Sequence, residues 1–205
     1  MSQDNRIQYG PKNVAFIDSD VGIGCIAGVG AVPTALAAYV TADEFGDGKN
    51  HRTVLTCTDL EVATVDNGTA GHGGGTKIYD FPKGLIATGP GIIKADSIVV
   101  DGTGLPNDAA FVLSVGSVVA TSVVVTLTGT MADIIDQLSL TLSTSVSCVN
   151  NNSSVLGLSI IDGSGTAVDA YLNVSGTAGS LDADGTLTFT GKIEINWTNL
   201  GYSGE

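Results

Sequence analysis

Two histidines, three cysteines and a few paired aspartates are the side chains with which this 205-residue chain could do chemistry. His72 opens the run His72-Gly73-Gly74-Gly75, a pattern that shapes an oxyanion hole when its backbone N–H groups lie beside a nucleophile elbow. The elbow signature GxSxG occurs nowhere in the chain, and the other histidine, His51, stands at a predicted strand start. The stretch Asp66–Gly75 therefore reads as a flexible glycine loop. Gly22-Ile23-Gly24-Cys25-Ile26-Ala27 matches the relaxed dinucleotide pattern GxGxxA and follows the strand-like Val14–Asp18. A nucleotide site of that kind also needs an amphipathic helix and alternating strand–helix units, and the sequence shows neither. Asp182-Ala183-Asp184-Gly185 begins like a calcium loop but lacks the spacing and the closing bidentate Glu, so an Asp-Gly turn is the plainer reading. Asp133 and Asp136 read as a solvated helix face. Cys25, Cys57 and Cys148 are odd in number and without CxxC spacing, which indicates neither a disulfide framework nor a zinc site. No catalytic, cofactor-binding or metal-binding residue is nominated, no cofactor is expected, and the chain is expected not to be an enzyme.

The elements that would have to position any such residue are strands. Charged residues make up only 14% of the chain, against about 25% in ordinary globular proteins. Gly, Ser, Thr, Val and Ala take their place, which suits pleated surfaces and tight turns. The net charge is −13, from 21 acidic and 8 basic residues, and no Lys or Arg occurs between Asp96 and Gly191. Nucleic-acid binding draws its affinity from cations that displace counterions, so nucleic acid is an unfavoured partner. An anionic membrane surface is unfavoured for the same reason. Val21–Val40 has the length of a membrane span, but glycines and Pro33 interrupt it and acids flank it. It reads as part of an arm with a short helix near Thr34–Tyr39. Met1–Gly10 is polar, without a basic region followed by an apolar one, so synthesis in a reducing cytoplasm is expected.

From His51 onward the apolar period is two, the mark of half-buried strands. Thr53–Cys57 and Leu60–Val65 read as successive strands around Thr58–Asp59, and Lys77–Phe81 as a strand that Pro82 ends. Ile92–Val100 follows, then Ala110–Val119, apolar almost throughout and so expected to be buried on both faces. Val123–Leu127 and the Leu138–Cys148 series alternate, as do Val168–Val174. Leu187, Phe189, Ile193, Ile195 and Trp197 form one long apolar-sided strand, with Gly191 on the apolar parity as a sign of a bulge or close backbone approach. Residues 162–165, 175–180 and 182–185 carry hairpin chemistry. A short helix is predicted over Met131–Leu138, with Thr130 as its cap and Asp133 at its third position. The fold class expected is mainly β: an antiparallel β-sandwich or barrel-like domain over 51–205, one short helix, and an N-terminal Gly/Ala-rich arm or docking segment over 1–50.

The segment His51–Ile93, and within it the strand-turn element Lys77–Ile86 (KIYDFPKGLI), resembles small virion proteins of marine tailed bacteriophages, of the capsid-associated or decoration type. The rest of the chain shares with them only its acidic, Ser/Thr/Val-rich character. The resemblance implies a virion location, a homo-oligomer, and the major capsid protein or other virion proteins as partners. It carries no catalytic motif. A receptor-binding or adhesin-type surface module and a tail or fibre assembly subunit are the alternatives.

Overall fold

The strict alternation of Gly185–Asn199 makes it the spine of the molecule. In the computed structural model this 15-residue strand runs antiparallel to the 17-residue strand Asn50–Asp66 over almost their whole lengths. The structure describes residues 8–9, 13–14, 30–46, 50–66, 71–100, 110–121, 124, 126–141, 159–177 and 184–200. In chain order the strands are β1 (Gln8–Tyr9), β2 (Asn13–Val14), β3 (Val40–Gly46), β4 (Asn50–Asp66), β5 (Gly71–Asp80), β6 (Gly84–Thr88), β7 (Ile92–Val100), β8 (Ala110–Gly116), β9 (Ile135–Thr141), β10 (Ser159–Gly163), β11 (Asp169–Thr177) and β12 (Gly185–Asn199). The first two pair with each other. The other ten form one antiparallel sheet in the order β10-β6-β12-β4-β5-β11-β8-β9, with β3 added to β4 and β7 added to β12. The sheet curls into a half-barrel, and its inner face carries the core.

β12 keeps one parity throughout: Leu187, Phe189, Gly191, Ile193, Ile195 and Trp197 all face inward and are buried. Its neighbours do not. In β4 the buried residues are Thr53, Leu55 and Cys57 below the level of Thr190, and Leu60, Val62 and Thr64 above it. β7 switches at the same level, from Ile93 and Ala95 to Ile98 and Val100. Each therefore holds one extra residue there, a β-bulge that re-aims the side chains that follow. On β4 the bulge places Asp59 at φ 49°, a left-handed conformation that Asp tolerates better than most residues. The Asp59 N–H donates to Thr190 Oγ1 (3.0 Å), and that hydroxyl donates back to Asp59 Oδ1 (3.1 Å). Thr53–Cys57 and Leu60–Val65 are thus one strand with a slip in it, not two.

Several expectations are corrected. Met131–Leu138 is not a helix: a single 3-10 turn at Gly129–Met131 is followed by β9, which pairs with β8. The capping chemistry is used elsewhere, because Asp133 accepts from the Ser117 N–H (2.8 Å) and hydroxyl (2.7 Å), while Ile134 and Ile135 enter the core. The glycines of Gly71–Gly75 are not a loop but the first half of β5, paired with β11. The expected helix near Thr34–Tyr39 is one 3-10 turn, Thr34–Leu36. The 162–165 turn is no hairpin either, since β10 pairs with β6 and β11 with β5 and β8. Val40–Gly46, within the segment read as an arm, is a sheet strand on β4, and Ala31 bridges to Asp80.

β8 is largely buried on both faces, as the apolar run implied, but the strand stops at Gly116, and Val118 and Val119 of the expected Ala110–Val119 are 46% and 37% exposed. The second cover comes from the 117–134 segment, which crosses the outer side of β5, β11 and β8. A Cβ on Gly73 would stand 2.2 Å from Thr121 O, and one on Gly75 would stand 2.3 Å from Asn173 Oδ1. Gly73 and Gly75 leave room on that side, whereas Gly74 leaves room for β4, since a Cβ there would stand 1.9 Å from Ala63 O.

Candidate functional site

The residues that could have carried chemistry are scattered by the fold. His72 lies within β5, buried, with no nucleophile elbow beside it. Asp133 turns inward to Ser117, whereas Asp136 accepts from the N–H of Gln137, so the two carboxylates do not converge. Burial pushes the Cys57 thiol up to about 12, far from the ionised form that reacts. Asn173, in a glycosylation sequon, is fully buried and engaged with backbone. Asp184 is exposed at the start of β12. Gly22–Ala27, Cys25, Cys148 and Asp182 lie outside the described residues.

What the fold does bring together is a group that the sequence did not suggest. Thr53, His51, Tyr79 and Trp197 project inward from β4, β5 and β12, and Glu44 reaches them from the edge strand β3. Tyr79 donates its hydroxyl to Glu44 Oε1 (2.7 Å), and His51 Nδ1 stands 3.9 Å from the same oxygen. Trp197 Nε1 donates to Thr53 Oγ1 (2.8 Å), and the Trp197 indole stacks on His51 with ring centres 4.0 Å apart. Phe81 closes the group edge-on to both Tyr79 and Trp197. The side chains of His51 and Glu44 are 1% and 11% exposed, so the carboxyl sits in a nearly dry setting. Burial raises its pKa above the ordinary 4.5, against the hydrogen bonds from Tyr79, the Gly30 N–H and Thr53, which lower it. The Tyr79 phenol is pushed up as well, by burial first and by the neighbouring Glu44 charge second. Gly30 fits only because it has no side chain: a Cβ there would be 1.9 Å from the Tyr79 oxygen.

A second group lies on the opposite side of β5. Lys77 is ion-paired with Asp80 and with Asp169 (3.0 Å), and Tyr171 donates to Asp169 (3.0 Å). Asp80 and Asp169 are cross-strand partners. Burial and the hydrogen bond to Asp169 raise Asp80. Burial also acts to raise Asp169, but the hydrogen bonds from Asp80, Lys77 and Tyr171 outweigh it and set Asp169 below its ordinary value. Of the two carboxyls, Asp80 is therefore the one that takes up a proton first as the pH falls. The hydrogen bonds to Asp80 and Asp169 come first in holding the Lys77 ammonium above its usual range, so it is a cation here and not a nucleophile.

No protein-family model, curated protein or solved structure matches the chain.

A third group takes in the buried polar side chains Asn173, Ser114 and Ser175. Asn173 Nδ2 donates to Val118 O and Met131 O (both 2.9 Å), and its Oδ1 accepts from the Ala120 N–H (2.9 Å). Ser114 donates to Met131 O (2.6 Å) and Ser175 to Val124 O (2.6 Å). Each of these side chains binds the backbone of the 117–134 segment. Chemically, the three groups can hold strands and segments in place and hold protons at defined positions. Glu44 and Tyr79 went unnoticed in the sequence because Glu44 falls in a stretch that reads as an arm. The visible signal was the alternation Tyr79-Asp80-Phe81, which puts both rings on one face.

Proposed function

We propose that the chain is a structural subunit of a larger particle, of the capsid-decorating kind to which Lys77–Ile86 is similar, and that it works by protein–protein contact without catalysis. The observation that carries this reading is the use of its buried polar side chains. Asn173, Ser114, Ser175 and Asp133 each fasten another segment of the same chain, and Trp197 and Thr53 fasten each other. Such a body resists deformation, because each buried hydrogen bond that is broken costs about 1–3 kcal/mol.

The open edges support the same reading. Among the described residues β3, β7, β9 and β10 each pair on one side only. Unpaired edges invite a strand from another chain, and charged side chains such as Asp43, Lys94, Asp96, Asp136 and Asp162 restrain that pairing until a matching partner is present. Val99 on β7 and Ile160 on β10 are large apolar side chains left 52% and 62% exposed. A strand of the shell protein or of a second copy, added to such an edge, completes the half-barrel into a closed sandwich or barrel. The net charge of −13 keeps the free subunit apart from other copies until it docks.

Quantitative mass spectrometry of purified particles tests this. The expected result is a copy number in fixed proportion to the shell subunit. A few copies per particle would favour a receptor-binding tip, and absence from the particle would end the proposal.

A further inference from the structure

Edge strand β3 is fastened by an ionisable group that faces inward, Glu44. We infer that Glu44, with Tyr79 and His51, forms a proton-operated latch that holds β3 and the Gly30–Tyr39 segment on the body of the protein, closed in acid and loosened as the pH rises. This inference is independent of the proposed role in a particle.

The geometry supplies the parts. β3 pairs with β4 alone among the described residues, so its attachment depends on that one ladder and on its inward side chains. Of those, Val40 is buried, Ala42 is exposed and Glu44 is nearly buried, which leaves Glu44 as the contact that ties the far end of the strand. The groups facing its carboxyl are Tyr79 from β5, His51 and Thr53 from β4, and the N–H of Gly30. Asp80, next to Tyr79, adds a negative field at the Tyr79 phenol. Arg52, the neighbouring cation, points the other way, over the Phe45 ring (4.9 Å) and toward Glu194 (3.9 Å). Among the described residues, His51 at 3.9 Å is the one basic side chain beside the carboxyl.

The sign follows from the direction of the shift. Burial sets the folded pKa of Glu44 above 4.5. The group's contribution to stability is then complete below 4.5 and is lost as the pH rises through the folded value. Asp133, also raised by burial, acts in the same sense but on the 117–134 segment. Asp169 and Asp162, both lowered, act in the opposite sense, so a whole-molecule melting curve would blend these effects. A local readout separates them. The amide of Thr58 donates to Tyr39 O (2.8 Å) and reports the near end of the same unit.

The test is amide hydrogen exchange of the full chain at several pH values, corrected for intrinsic exchange, followed by mass spectrometry of peptides covering 40–46. In the wild type, protection of this strand is expected to fall several-fold between pH 5 and pH 8 relative to β12. In Glu44→Gln, which keeps the hydrogen-bond acceptor without the charge, protection is expected to stay level. Equal pH dependence in both proteins would overturn the latch, as would a flat wild-type profile. Should Glu44→Gln fail to fold, the carboxyl pKa of Glu44 read by carbon NMR in the wild type decides the matter: a value at or below 4.5 overturns it.

Discussion

Asn173→Ala is expected to destabilise the protein by about 4 kcal/mol and to lower its melting temperature by about 10 °C. Asn173 is fully buried on β11 and makes three hydrogen bonds to the backbone of the 117–134 segment. Removing the amide leaves the buried Ala120 N–H unpaired, at about 1–3 kcal/mol, and takes the donor from the part-buried Val118 O, at a smaller cost, on top of the cavity left behind. Met131 O suffers less, because Ser114 still donates to it. Asn173→Asp should be nearly as damaging: a carboxylate can still accept from Ala120, but it repels the two carbonyls and carries a buried charge. Thermal and urea denaturation give the size of the effect. A loss under about 1 kcal/mol would mean that the segment is held by something other than this amide.

Gly191→Val is expected to cost about 3 kcal/mol or more, mainly by forcing β7 away from β12. A Cβ at Gly191 would lie 2.2 Å from Lys94 O and 3.0 Å from the Ala95 Cα, and both are backbone atoms that cannot turn aside. The position lies on the inward parity of β12, at the level where β4 and β7 both bulge. A side chain there would press on the level at which both neighbouring strands bulge. Gly165→Ala is the control: nothing lies within 4 Å of its added Cβ, and the change should stay within about 0.5 kcal/mol. Equal effects at the two positions in chemical denaturation would refute the close-approach explanation.

How far the sequence alone reaches is clear from particular residues. The period-two signal located β7, β11 and β12 closely and predicted that β8 would be covered on both sides, because burial stamps its pattern directly on the residues of a strand. Gly191 was legible as a point of close approach because it interrupts that pattern on the apolar side. The joined strand β4 was not, since the bulge at Asp59 reverses the parity and so imitates a turn. The glycines of β5 misled for a related reason. The missing side chains of Gly73 and Gly75 make room for residues near 119–124 and that of Gly74 for the β4 backbone, and the same composition would serve a loop. The Met131–Leu138 region carried helix-capping residues and strand alternation together, and the hydrogen bonds to Ser117 decided for the strand. Strand order was illegible throughout: among the sheet strands only β3–β4, β4–β5 and β8–β9 are neighbours both in sequence and in space. The Glu44 group has members from four strands and the segment before them, so no local pattern could have announced it.

Cryo-electron microscopy of the intact particle, at a resolution that separates strands, tests the structural role most directly. The account predicts the curled sheet of β3–β12 at symmetry-related positions on the shell, with one of its open edges paired to a strand of another chain. A map in which every edge faces solvent, with the inner face of the half-barrel closed around a small molecule, would contradict it.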